Sequence, residues 1–200
     1  MFREHPLGDK QVVGRQLRYL IKSEHGWLGA VTFGSSALYL HDRDEWIGWQ
    51  GEDLIKNRNY VVNMNRFLIR NCVRCKNLAS HVLAMCVKKL PADYENRYGY
   101  SPLVVETFVD TQNYGGTCYK AANWQWVGRT RGRGRNDTNT KYAKSVKDIY
   151  LYELDHRFRE KMRLPPVEPA RIEAILPTEG IYSETWARLE FGEARLGDSR

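Results

Sequence analysis

Residues 102–109, Pro-Leu-Val-Val-Glu-Thr-Phe-Val, set the strictest condition on this chain. Apart from Glu106 and Thr107 the run is apolar and does not alternate. Such a strand suits a central position buried on both faces, so helices must cover both sides of its sheet. One covering helix is legible just upstream. Leu78, Val82, Met85, Cys86, Val87 and Leu90 recur at helical spacing, and Pro91 is expected to end it. The class expected is α/β, a mixed central sheet with flanking helices.

The other elements fit around that pair. Residues 14–24 read as a strand, His25-Gly26 as a turn and Trp27–Phe33 as a second strand, giving a hairpin. Gly34-Ser35-Ser36 breaks it, and residues 44–49 read as a tight aromatic connection. Residues 52–59 suit a short polar helix, and Phe67-Leu68-Ile69 a third strand. Tyr114–Ala122 can form a short helix, Trp124–Gly128 and Ile149–Tyr152 strands, and residues 155–163 a helix. Leu164-Pro-Pro-Val-Glu-Pro169 then marks a linker. The expected organisation is a body over 1–164, a linker over 165–183 and a tail over 184–200.

No apolar run approaches a membrane span, and no apolar secretory core follows Met1-Phe-Arg-Glu-His5. A cytoplasmic protein is expected, with Cys72, Cys75, Cys86 and Cys118 as reduced, ordinarily buried thiols. Cys72-x-x-Cys75 has no second pair at zinc spacing, so no metal site is expected. His81 reads as a packed helix residue.

The charge is concentrated. Between Arg129 and Lys147 lie Arg129, Arg131, Arg133, Arg135, Lys141, Lys144 and Lys147 against Asp137 alone, a local charge of +6 within a chain of net charge +7. Alternating glycines let the backbone approach a phosphate chain, and guanidinium forks match its oxygens. This segment is the candidate nucleic-acid contact, with DNA the expected polymer; the alternative is a solvated loop. Trp124 and Trp126 beside it could stack on unpaired bases, or pack in the core with one of them turned inward.

Glu106 and Asp110 sit four apart on the apolar strand and share a face. A carboxylate there is costly unless paired or functional. It could serve as a general base or anchor an active-site network, or it could pair with Arg66 or Lys120. Asn63, Asn65, Arg66 and Asn123 form a polar set that could bind a ligand or tie loops to the sheet. Trp46 and Trp49 are candidate exposed aromatics for docking a partner such as a helicase or transposase.

Gly14-Arg-Gln-Leu-Arg-Tyr-Leu-Ile21, Arg43-Asp-x-Trp-Ile-Gly-Trp49, Asn63-x-Asn-Arg-Phe-Leu-Ile69, Asn77-Leu-Ala-Ser-His81, Glu106-Thr-Phe-Val-Asp110, Gly116-Thr-Cys-Tyr-Lys-Ala-Ala-Asn-Trp124 and Gly132-Arg-Gly-Arg135 run in order over about three quarters of the chain. Together they resemble the DruA family of the Druantia anti-phage system, whose domain is also found fused ahead of transposases. The tail, from Trp186 through Phe191-Gly192 to Leu196-Gly-Asp-Ser-Arg200, resembles the opening DNA-binding segment of cut-and-paste transposases. Together these imply an accessory domain of a mobile element or defence system. A helical start to a transposase would follow it, and the catalytic transposase core would be missing. A remnant of an interrupted transposase gene is the other implication.

The order of elements also resembles the GNAT acyltransferase fold. That likeness implies a pyrophosphate cradle of backbone amides at Arg74, Lys76, Asn77 and Ala79, with Asn77 standing where the family has its first glycine. It implies a general acid at Tyr119 and a base at Glu106, with Asp110 on the same face. The chain would then be a transferase of acyl or related groups; no particular cofactor is assigned.

Overall fold

The computed structural model describes residues 14–131, 145–164 and 190–192. The first described elements form the expected hairpin, β1 (Leu17–Ser23) and β2 (Gly26–Ser35). Two short helices follow, α1 (His41–Ile47) and α2 (Glu52–Asn57), then a 3-10 turn (Arg58–Tyr60) and β3 (Val61–Ile69). The long helix α3 (Leu78–Tyr98) leads to β4 (Val104–Asp110), and α4 (Thr117–Ala121) leads to β5 (Gln125–Arg129). The described remainder is β6 (Lys147–Glu153), α5 (Phe158–Lys161) and β7 (Glu190–Gly192). The sheet runs β5-β6-β4-β3-β2-β1-β7. Among the described strands only β3 and β4 are parallel; every other pair is antiparallel.

The apolar run at 102–109 is buried on both faces, as its pattern requires. Val105 and Val109 join a core with α3, which includes Val82, Leu83, Cys86, Val87 and Leu90. Val104 joins a second core with Trp46, Ile47, Leu54, Ile149, Leu151 and Phe158, under α1, α2 and α5. The sheet is thus covered on both faces, and the mixed α/β architecture is the one expected.

Four expectations are corrected. Residues 44–49 are mostly helix: α1 carries Asp42 and Asp44 in its first turn, where acidic groups offset the helix dipole, and Gly48 ends it at φ +86°. The strand expected at Phe67–Ile69 begins at Val61, because Asn63, Asn65 and Arg66 interrupt its apolar pattern. Pro91 lies inside α3 instead of ending it. Tertiary contacts hold the second half: Tyr94 is 1% exposed, the Tyr19 hydroxyl donates to Asp93 at 2.9 Å, and the Tyr98 hydroxyl donates to the Gln16 carbonyl at 2.6 Å. Such packing outweighs the single backbone bond a proline forfeits. In the tail, where a helical start was expected, Glu190–Gly192 form β7, antiparallel to β1. The rest of 165–200 lies outside the described residues.

Candidate functional site

Two features set the β3–β4 junction of the sheet apart. The first is a fork. β3 and β4 pair at only three positions, Val61 with Val104, Val62 with Val105 and Asn63 with Glu106. Beyond these, β3 stays with β2 and β4 with β6. The Thr107 hydroxyl donates to the Met64 carbonyl at 3.0 Å, bridging the base of the fork. The second feature is a bulge. Thr32 pairs with Arg66 and the next residue, Phe33, with Met64, leaving Asn65 as the extra residue of β3. Asn63, Asn65 and Arg66 therefore gather at the fork. Asn123, grouped with them by sequence, lies elsewhere, between α4 and β5 at φ +61°.

Glu106 is fully buried. Its partner is neither Arg66 nor Lys120 but Arg43 of α1, whose Nη1 donates to Glu106 Oε2 at 2.5 Å. The Ala37 N–H donates to the other carboxylate oxygen at 2.6 Å. Arg43 also donates to Asp44 Oδ1 at 2.5 Å and to the Ala37 carbonyl at 3.1 Å. Burial pushes the Glu106 carboxyl up, while Arg43 and the Ala37 N–H pull it down. Both oxygens are engaged, so the carboxylate anchors the 37–44 segment to β4.

Tyr119 and Asp110 sit apart from that anchor. The Tyr119 ring stacks on Tyr150 at 5.4 Å and meets Trp124 and Phe67 edge-on. Burial pushes its phenol up, with a hydrogen bond to Thr107 opposing. Asp110 closes the turn after β4, accepting from the Gln112 N–H at 3.2 Å and from Asn113 Nδ2 at 3.1 Å.

The strand directions collect basic residues at the fork end of the sheet. β3 ends there at Ile69, and exposed Arg74 and Lys76 follow, just before α3 turns back. β4 ends there at Asp110. β5 ends there too, since Arg129 pairs with Asp148 and Asp110 with Lys147. The basic segment is therefore a connection between two antiparallel strands with a fixed root. The Thr130 N–H donates to the Lys147 carbonyl at 2.9 Å, and Thr130 Oγ1 accepts from the Lys147 N–H at 2.9 Å. The Arg129 N–H donates to Asp42 of α1 at 2.8 Å. Arg129 itself is offset by Asp148, its Nε donating at 2.9 Å, whereas Arg131 is exposed. Arg133, Arg135, Lys141 and Lys144 lie outside the described residues.

At the start of α3, Asn77 takes a left-handed conformation, φ +61°, without a side-chain cap. The glycine-like backbone is thus kept with an asparagine. Arg74, Lys76 and Asn77 are exposed and Ala79 is half-buried.

The family model described as Druantia protein DruA matches residues 1–162. The chain belongs to the DruA family. Membership associates this DruA domain with the Druantia anti-phage system. No curated protein matches the chain. Among solved structures, it is similar to a GNAT-family acetyltransferase from Bacillus cereus (9% identity, 68% of this chain and 70% of that one, TM-score 0.41). Others are the aminoglycoside acetyltransferase AAC(6')-Ib in complex with coenzyme A (17%, 74% and 70%, 0.46) and the spermidine N-acetyltransferase of Vibrio cholerae (8%, 73% and 70%, 0.43).

Two residue readings are corrected in the DruA domain. Trp46 and Trp49 are not exposed: Trp46 stacks on Phe158 at 5.3 Å, and the Trp49 indole donates to Asp44 at 2.7 Å. The first burial follows from α1 presenting Arg43, Trp46 and Ile47, at i, i+3 and i+4, to the sheet. That spacing was also the signal that could have named Arg43 as the counter-charge of Glu106. Cys72 and Cys75 are exposed, since they lie on the loop between β3 and α3; Cys86 is buried. Among the described residues no cluster of His, Cys, Asp or Glu could hold a metal ion, and no helix is long and apolar enough to cross a membrane. Trp124 faces inward and Trp126 is 45% exposed. Residues two apart share a strand face, so alternation does not separate these two. Trp124 precedes β5 and follows the left-handed Asn123.

Proposed function

We propose that this DruA domain binds nucleic acid, most naturally DNA, through the fork end of its sheet, as an accessory component working with a transposase or helicase. One observation supports this above the others. Exposed basic side chains from two segments distant in sequence, around Arg74 and Arg131, lie at one end of the fold. Converging cations raise the local potential and favour a polyanion over a single small anion. Arg131, Arg133, Arg135, Lys141 and Lys144 supply the contacts in this reading, and Arg129 holds the root. Fluorescence anisotropy with labelled DNA across a salt series tests it. Replacing Arg131, Arg133 and Arg135 by Ala is expected to weaken binding about equally for all sequences and to flatten the salt slope by about one unit per lost phosphate contact. Absence of binding at low salt overturns it.

The fork supports a second reading, a group transferase of GNAT type. Amides at Arg74, Lys76, Asn77 and Ala79 would cradle a pyrophosphate at the positive end of α3. Tyr119 would be the proton donor, Glu106 the base and Asp110 an auxiliary carboxylate. Both Glu106 oxygens are already bonded, and the Tyr119 phenol is enclosed by rings, so substrate binding would have to free them. Calorimetry with millimolar acetyl-coenzyme A separates the readings: heat of binding favours the transferase, and its absence leaves the nucleic-acid reading.

A further inference from the structure

Of the five buried side-chain polar atoms without a hydrogen-bond partner among the described residues, three belong to neighbouring residues of β2 and β3: Thr32 Oγ1, Asn63 Oδ1 and Asn65 Oδ1. Phe33 and Met64 face one another and belong to the core under α3. Thr32 and Asn63, their chain neighbours, therefore present to the opposite face. The bulge sets Asn65 and Arg66 together opposite Thr32, on that same face. Glu106 is in register with Asn63, and half-buried Phe108 follows on its face across the fork.

A buried polar atom left without a partner costs stability, so native folds rarely keep one without cause. Three on one face, next to the last β3–β4 pair, point to a ligand that offers them donors. Their chemistry narrows the occupant. The amide oxygens accept, the threonine hydroxyl both gives and takes, and the half-buried Arg66 only donates. A bare anion would satisfy Arg66 and leave the acceptors unmet. An ammonium would satisfy the acceptors and be repelled by Arg66. A flat edge offering N–H groups beside an acceptor satisfies both. The edge of a nucleobase has that pattern, and Asn and Arg are side chains that read it in pairs of hydrogen bonds. Phe108 offers an aromatic surface beside it.

We propose that the face of β2 and β3 at the fork receives one unpaired base of a bound strand, with Thr32, Asn63 and Asn65 on its amino-bearing edge and Arg66 on its acceptor. This rests on the nucleic-acid reading above and adds to it a preference among bases.

The test is anisotropy at fixed salt with short single-stranded homopolymers of deoxyadenosine, deoxycytidine and thymidine, for the full chain and for Thr32→Val and Asn65→Ala. The full chain is expected to favour an amino-bearing base over thymine by about tenfold. Each variant loses that preference while keeping the salt slope. Thr32→Val removes an unpartnered hydroxyl at nearly constant volume, so its melting temperature is expected to equal or exceed that of the parent. Equal affinity for all three polymers, or a preference surviving in either variant, overturns the pocket and leaves the phosphate-binding reading intact. A Thr32→Val protein that melts well below the parent also overturns it, because the hydroxyl then serves the fold. Failure to bind any of the polymers at low salt overturns the nucleic-acid reading and the pocket together.

Discussion

Arg43 and Glu106 hold one another inside the second core, both without solvent contact. A buried pair adds little net stability over an apolar pair of similar volume, but a lone buried charge is expensive. Arg43→Met strands the Glu106 carboxylate and is expected to cost about 3–5 kcal/mol of folding stability. Urea unfolding checks this; a loss under about 1 kcal/mol would show that Glu106 finds another partner. Glu106→Gln keeps an acceptor for the Ala37 N–H and should cost less than Arg43→Met. At this scale the sequence was half legible. Glu106 stands out as a carboxylate in an apolar strand. Its partner is harder to read, because Arg43 is 63 residues away and the residues after it, 44–49, read as a connection instead of a helix. The grouping of Asn63, Asn65 and Arg66 was legible as polarity, but the bulge that brings them to one face has no sequence mark.

Gly128 shows what an element needs from its neighbours. It sits at φ +152°, and a Cβ there would collide with the Asp42 carboxylate. Asp42 belongs to α1 and accepts from the Arg129 N–H, so the helix docks on β5 only where a side chain is missing. Gly128→Ala is expected to destabilise by about 1–3 kcal/mol from strain and displacement of Asp42. Asp42→Ala in the same chain should relieve part of that cost, and a double-mutant cycle measures how much. Equal losses in both backgrounds would mean that strain alone is at work. Element types followed well from periodicity in the hairpin, β4 and the first half of α3. They failed where tertiary contacts overrule local signals, as in α3 beyond Pro91 and in the polar half of β3.

For the molecule as a whole, the topology does what the linear order hides. The parallel β3–β4 pair and the antiparallel β5–β6 pair put Arg74 and Arg131 at one end, although the two are far apart in the chain. The sequence shows only the dense charge at Arg129–Lys147; strand directions are what bring Arg74 to the same end. The same compactness buries phenols. Burial pushes Tyr19, Tyr94 and Tyr119 well above the ordinary tyrosine value. A group raised in the folded state contributes its full stability below its unfolded value and loses it as pH climbs past that point. Stability is therefore expected to hold up to about pH 10 and to fall beyond it, with these tyrosines ionising as the chain opens. Tyrosinate absorbance followed beside circular dichroism tests this; complete ionisation with the fold intact would refute it.

Asp42, Arg43 and Asp44 are consecutive, yet each grips a different part: the β5 edge, the centre of the sheet, and the Leu40 N–H together with Trp49. One turn of α1 thus ties the root of the basic connection to the fork. If Arg131 holds a strand, as proposed, a pull on it would reach Ala37 and Glu106 through that turn. Amide exchange should register it: DNA binding is expected to slow the Arg129 and Ala37 N–H groups in step, and Asp42→Ala to leave Ala37 indifferent to what the connection holds.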